Sequence, residues 1–148
     1  MSKAAAPPFA VTLHVRDTCL CLHAQRAARA LARRFDEALR PAHLTSGQFS
    51  LLMSLNRPEP AGMGPVASLL AMDRTTLTAA LKPLERRGLV RVAPDPGDRR
   101  GRLLKLTPKG RALLASAAPV WEEMHRQVES ELGDGEADRL RRDLRTLA

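Results

Sequence analysis

Residues 72–90 read M-D-R-T-T-L-T-A-A-L-K-P-L-E-R-R-G-L-V, and this stretch decides the fold. Leu77, Leu81 and Leu84 recur at steps of four and three, the spacing that gathers apolar side chains on one side of a helix. Asp73 offers an N-cap carboxylate before the run, and Gly88 offers a C-terminal stop after it. Pro83 lies well inside the helix. It has no N–H for the Ala79 carbonyl and is expected to bend or loosen the last turns. The N-terminal residues of this helix are Arg74, Thr75, Thr76 and Thr78, short polar groups and one cation. Such residues at the start of a helix can reach base edges in a DNA major groove. Lys82, Arg86 and Arg87 follow, placed to meet phosphates.

Upstream, Pro65 fits the first turn of a short helix carrying Val66, Leu69 and Leu70. Only Ala71-Met72-Asp73 separates it from the next helix, which makes the pair a helix-turn-helix. Downstream, the period changes. L-V-R-V, residues 89–92, and R-L-L-K-L, residues 102–106, read as strands joined by A-P-D-P-G-D-R-R-G. The expected product is a hairpin whose long, flexible tip carries Arg99, Arg100 and Arg102. An arginine on such a tip can enter a minor groove, where the potential is most negative. A helix pair followed at once by a basic hairpin is a winged helix.

Helices flank this unit. From Asp17 to Arg40, Leu20, Cys21, Ala24, Ala28, Leu31, Phe35 and Leu39 trace an amphipathic face, with Asp17 or Thr18 as N-cap and Pro41 as terminator. A second helix begins after Thr45 or Ser46, with Ser46 as a possible cap, and turns Phe49, Leu52, Met53 and Leu55 inward. The breaker-rich connection 57–65 follows it. Thr107 can cap a long helix with Pro108 at its first position and a kink at Pro119. G-D-G, residues 133–135, ends that helix, and a last one presents Ala137, Leu140, Leu144 and Leu147. The expected fold is mainly α with a small β-hairpin wing. It is one domain over 1–148, with six helices and the winged helix-turn-helix at 45–110.

Composition agrees with a polyanionic partner. The 148 residues carry a formal net charge of +8 and a pI near 10.9. Arginine outnumbers lysine 20 to 4, so the location of the charge says more than its total. No apolar run reaches membrane-span length, and the start M-S-K-A-A-A-P-P-F reads as a short loose tail without a signal-peptide core. A cytoplasmic location is expected, with Cys19 and Cys21 reduced. His14, His23, His43 and His125 form no tight metal signature, and Cys19 with His23 supplies only two ligands. Neither a metal nor a cofactor is expected. No phosphate loop, nucleophile elbow or credible pair of catalytic carboxylates is present, which argues against an enzyme.

Residues 72–90, together with D-P-G-D-R-R-G-R-L-L-K-L-T-P-K-G at 95–110, resemble the MarR family of winged-helix transcriptional regulators. The flanking helix order agrees over nearly the whole chain. The resemblance implies a homodimer on a pseudo-palindromic double-stranded operator, with 17–40 and 111–148 as dimerisation helices. It implies that Asp98 and Arg100 form the wing's acid–arginine pair, the carboxylate directing the guanidinium by a charge-assisted bond. Many family members carry a basic residue where this chain has Ala79, so Lys82 or Arg74 takes over that contact.

The resemblance also implies an effector, whether a small anionic aromatic, an oxidant or a metal. A ligand would lie between the dimerisation helices and the DNA-binding part. Phe35, Phe49 and Trp121 are the candidate lining, with His43 or a first-helix arginine for a carboxylate. Cys21 falls on the apolar face of the first helix and reads as a small buried hydrophobe. Cys19 points toward the side of Arg26, Arg29 and Arg33, a setting that could favour a reactive thiolate. A disulfide through it would link two subunits. An architectural DNA-binding protein without an effector is the alternative.

Overall fold

A computed structural model describes residues 6–148. Helices α1 (Phe9–Thr18), α2 (Leu20–Leu39) and α3 (Ser46–Ser54) come first, with a 3-10 turn at Arg40–Ala42. A short strand β1 (Ala61–Gly62) leads into α4 (Met63–Leu69) and α5 (Arg74–Arg86). The hairpin strands are β2 (Val90–Asp95) and β3 (Asp98–Leu106), and α6 (Pro108–Ser130) and α7 (Glu136–Leu147) close the chain. The sheet is antiparallel in the order β1-β3-β2.

One apolar core holds the winged helix together. Leu77, Leu81 and Leu84 of α5 meet Leu51 and Leu52 of α3, Val66 of α4, and Leu89, Val90, Leu104 and Leu106 around the hairpin. Leu39, Leu114 and Ala117 extend it to the ends of α2 and α6 that lie nearest. The turn between α4 and α5 closes on Ala71, which takes a left-handed φ of 51°, while Met72 N–H donates to the Ala67 carbonyl at 2.9 Å. Asp73 then caps α5, its Oδ1 accepting from Thr76 N–H at 2.7 Å. Pro83 does not stop α5, which runs on to Arg86, and Gly88 exits it at φ 70°.

The hairpin is locked to α6 from below. Thr107 N–H donates to the Leu89 carbonyl at 3.1 Å, and its hydroxyl donates to Gly88 O at 2.6 Å while accepting from Gly110 N–H at 3.0 Å. Gly110 is buried against Leu89, where a Cβ would stand 2.1 Å from the carbonyl oxygen. The T-P-K-G run therefore has a packing reason: only glycine lets the first turn of α6 approach this closely.

Several expectations change. There are seven α-helices among the described residues, not six, because Phe9–Thr18 is helical. Phe9 thus begins α1 instead of closing a loose tail, the rest of which falls partly outside the described residues. The α1 side chains Phe9, Val11 and Val15 meet no core, so inward-facing periodicity was not there to be read. Asp17 and Thr18 belong to α1, and Cys19 caps α2 instead, in extended geometry with its Sγ accepting from Leu22 N–H at 3.4 Å. Thr45, not Ser46, caps α3 through a reciprocal capping box with Gln48. Met53 faces outward. β1 lies in the connection read as irregular, where Ala61 and Gly62 pair with Leu104 and Leu103.

Candidate nucleic-acid interface

Burial of the three α5 leucines decides what the rest of that helix presents. Arg74, Thr75, Thr76, Thr78, Lys82 and Arg86 are all exposed. Arg74, Thr75, Thr78, Ala79 and Lys82 line one shallow groove along the helix. The threonines do not share one task. The Thr76 hydroxyl donates to Asp73 Oδ2 at 3.0 Å, so this residue completes the cap. Those two bonds hold the Asp73 carboxyl below its ordinary value, the Thr76 N–H contributing most. The Thr78 hydroxyl donates to the Arg74 carbonyl at 2.8 Å. Thr75 makes no side-chain hydrogen bond among the described residues. Arg74 Nη2 comes within 3.4 Å of where a Cβ on Gly64 would stand, so the arginine lies beside the start of α4.

The wing differs from a flexible loop. Strand pairing reaches Asp95 opposite Asp98, with a register shift between Pro94 and Asp95. Pro94 faces Arg102, so Arg99, Arg100 and Gly101 form an irregular stretch of β3 that re-aims its side chains. Gly101 sits where a Cβ would come within 3.1 Å of Asp95 Cβ and Asp98 Oδ2, so the bulge folds tightly on the turn. Asp95 Oδ1 accepts from Gly97 N–H at 2.9 Å. Asp98 Oδ1 accepts from the backbone N–H of Arg100 at 3.0 Å. The acid thus fixes the strand that carries Arg100, not the guanidinium itself. Arg99, Arg100 and Arg102 are exposed, and Arg102 Nη1 donates to the Gly101 carbonyl at 3.0 Å.

Behind this face lies an aromatic cluster. The Trp121 ring is 6.4 Å from Phe35 and 6.1 Å from Phe49, centroid to centroid. His125 stacks on Trp121 at 4.7 Å with an interplanar angle of 8°. These four residues border a cleft of about 350 Å³ between α2, α3 and α6, completed by Ala28, Leu31, Ala32, Ser46 and Ser50. His43 is not there. It lines a separate cleft with Arg87 and Lys109, and its carbonyl accepts from Arg87 Nη1 at 2.7 Å. The left-handed turn at His43, φ 54°, carries its side chain off the end of α2. The first-helix arginines also lie elsewhere. Arg26, Arg29 and Arg33 share an outer face, and Arg34 is paired with Glu131 at 2.6 Å. His125 is the residue that sequence reading missed. Its signal was its place one helical turn after Trp121.

Cys19 is half-buried at its cap, and Cys21 is exposed, accepting from Gln25 Nε2 at 3.2 Å. The expected burial of Cys21 does not occur within one chain, because the N-terminal half of α2 extends beyond the core. His23 Nδ1 lies 2.8 Å from the Cys19 carbonyl oxygen, one turn back along α2. Among the described residues no group of three or more His, Cys, Asp or Glu is arranged to hold a metal, and no helix is long and apolar enough to cross a membrane.

A capped helix in a tight helix-turn-helix, followed by a basic antiparallel hairpin, defines a winged helix-turn-helix protein. Residues 44–101 match the model of the MarR family. The chain is 31% identical over 101 residues to the multiple antibiotic resistance protein MarR of Escherichia coli K12, covering 68% of this chain and 70% of that one. The fold is similar to the M. tuberculosis regulator MosR in complex with DNA, with a TM-score of 0.80 and 40% identity over 88% of this chain and 93% of that chain. It is also similar to the repressor CouR bound to a 23-mer DNA duplex, with a TM-score of 0.79 and 32% identity over 90% and 94% of the two chains. The chain belongs to the MarR family. Its matches span 59%, 50% and 53% of the length of three further curated regulators.

Proposed function

We propose that this protein is a sequence-specific DNA-binding transcriptional regulator, a cytoplasmic homodimeric repressor released by a small aromatic ligand or an oxidant. The observation that carries the reading is the exposed face of α5, where Arg74, Thr75, Thr78 and Lys82 line one groove while the leucines opposite are buried. In this reading residues 45–110 bind DNA. Arg74, Thr75 and Thr78 meet bases, Lys82 and Arg86 meet phosphates, and Arg99, Arg100 and Arg102 follow the minor groove, with Asp98 fixing the strand beneath Arg100. Thr76 serves the helix cap.

Residues 17–40 and 111–148 form the dimerisation part, joined there by α1. The exposed apolar side chains Phe9, Val15 and Leu20 at one end of the chain and Leu140, Leu144 and Leu147 at the other support this assignment. The cleft beside Phe35, Phe49 and Trp121 is the effector site, with His125 in the place first expected of His43. Cys19 is the redox candidate.

A mobility shift on the protein's own upstream DNA tests the reading, run with peroxide and with a panel of aromatic acids. Retarded DNA that one of these additions releases is expected. A complex that forms equally on any DNA and responds to none of them would instead favour an architectural protein.

A further inference from the structure

We propose that His125 couples the cleft between α2, α3 and α6 to helix α7 through Glu129 and Arg141. The proposal rests on the reading of that cleft as the effector site and concerns how its occupation is transmitted.

The imidazole has two attachments. Its face lies on the Trp121 indole, in the wall of the cleft, and its Nε2 lies 3.0 Å from Glu129 Oε1. A carboxylate only accepts, so Nε2 carries the proton. The same Oε1 receives Arg141 Nη1 from α7, and Arg141 Nη2 donates to Asp138 Oδ1 at 2.5 Å. One carboxylate oxygen therefore joins a ring in the cleft wall to a guanidinium on the terminal helix. Arg141 is the main reason that the Glu129 and Asp138 carboxyls lie below their ordinary values, and His125 adds to this at Glu129. The α2 and α3 walls of the cleft carry only apolar side chains and serine hydroxyls, so no other charge there competes for the imidazole.

Within one chain, helix α7 is joined to α6 by the Glu129–Arg141 tie. It buries no side chain in the chain's core, and it leaves α6 through Gly135 at φ 75°. A group large enough to fill the cleft presses on the stacked Trp121–His125 pair in its wall. Displacing the ring takes Nε2 from Glu129, and Glu129 is then free to change its hold on Arg141. His125 acts here as a positioning residue, passing a displacement along without binding DNA.

The test fills the cleft with a side chain, so that no effector need be known. Ala32→Phe in the full chain supplies the filling group, and Ala28→Leu is the second variant should the first not fold. Emission from Trp121, the one tryptophan of the chain, reports that the cleft is filled. Hydrogen exchange across 136–147 reports the attachment of α7. Filling is expected to speed α7 exchange by about fivefold or more, the lower end of typical coupling between sites. Glu129→Gln should speed exchange by itself and abolish the response to filling. His125→Gln, whose amide N–H can still donate to Glu129, should keep part of the response, and His125→Ala should lose it.

Exchange that ignores filling overturns the coupling. So does the same factor with and without Glu129→Gln, or an unchanged Trp121 emission in both filled variants. Because exchange is read without DNA or effector, failure of the operator-binding reading leaves this outcome intact.

Discussion

Arg100 and Gly110 show how differently two residues of one short segment act. Arg100 is exposed on a bulged strand whose geometry Asp98 fixes through a backbone N–H. Arg100→Ala should leave the thermal melt unchanged and weaken operator binding by roughly tenfold or more, as read by a fluorescence anisotropy titration. Asp98→Ala should weaken binding less, since it loosens the strand and removes no cation. Unchanged affinity in the Arg100 variant would mean that the wing does not touch DNA. Gly110, by contrast, has no side chain to offer. Its place against the Leu89 carbonyl leaves no room for a Cβ, and relief requires moving α6 away from the hairpin. Gly110→Ala should destabilise by about 3 kcal/mol in urea unfolding, the upper part of the range for overpacking.

At the scale of elements, the clamp between α2 and α6 is legible in its ion pair. Arg34 Nη2 lies 2.6 Å from Glu131 Oε1, and this arginine is the first cause holding the Glu131 carboxyl below its ordinary 4.5. A carboxyl lowered in the folded state stabilises above its unfolded value and loses that contribution as acid protonates it. Thermal melts should therefore fall as pH drops below about 4.5, and Arg34→Gln should flatten part of that decline. An identical pH profile in both proteins would show that the pair contributes nothing.

The elements themselves were readable to different degrees. The helix-turn-helix, its Asp73 cap, the Gly88 exit and the Thr107-Pro108 start follow from local backbone chemistry, which a sequence carries directly. The α1 helix, the α2 cap and the exposure of Cys21 do not, because they concern a region that one chain does not bury. β1 is two residues long, and its pairing with β3 is a long-range contact that leaves no periodic trace. His43 and His125 were exchanged as cleft residues for a similar reason. A left-handed turn removed the first, and only the packing of α2, α3 and α6 brought in the second.

For the whole molecule, the distribution of surface explains more than the composition. Phe9, Val11, Val15 and Leu20 near one end of the chain and Leu140, Leu144 and Leu147 near the other are exposed apolar side chains, and the winged helix carries an exposed basic face. In the homodimer proposed above, Leu144→Glu should give monomer in sedimentation and lower operator affinity along with it. A dimer that persists would place the contact elsewhere. A pair of chains carries twice the formal +8 of one, and each phosphate neutralised lowers the salt slope of log K by about 0.9.

The most direct measurement is a footprint on the upstream DNA, titrated in parallel with a random duplex at two salt concentrations. Two protected half-sites about one helical turn apart, a steep loss of affinity with salt, and much weaker binding to the random duplex are expected. Uniform protection, with equal affinity for both duplexes, would contradict sequence-specific binding.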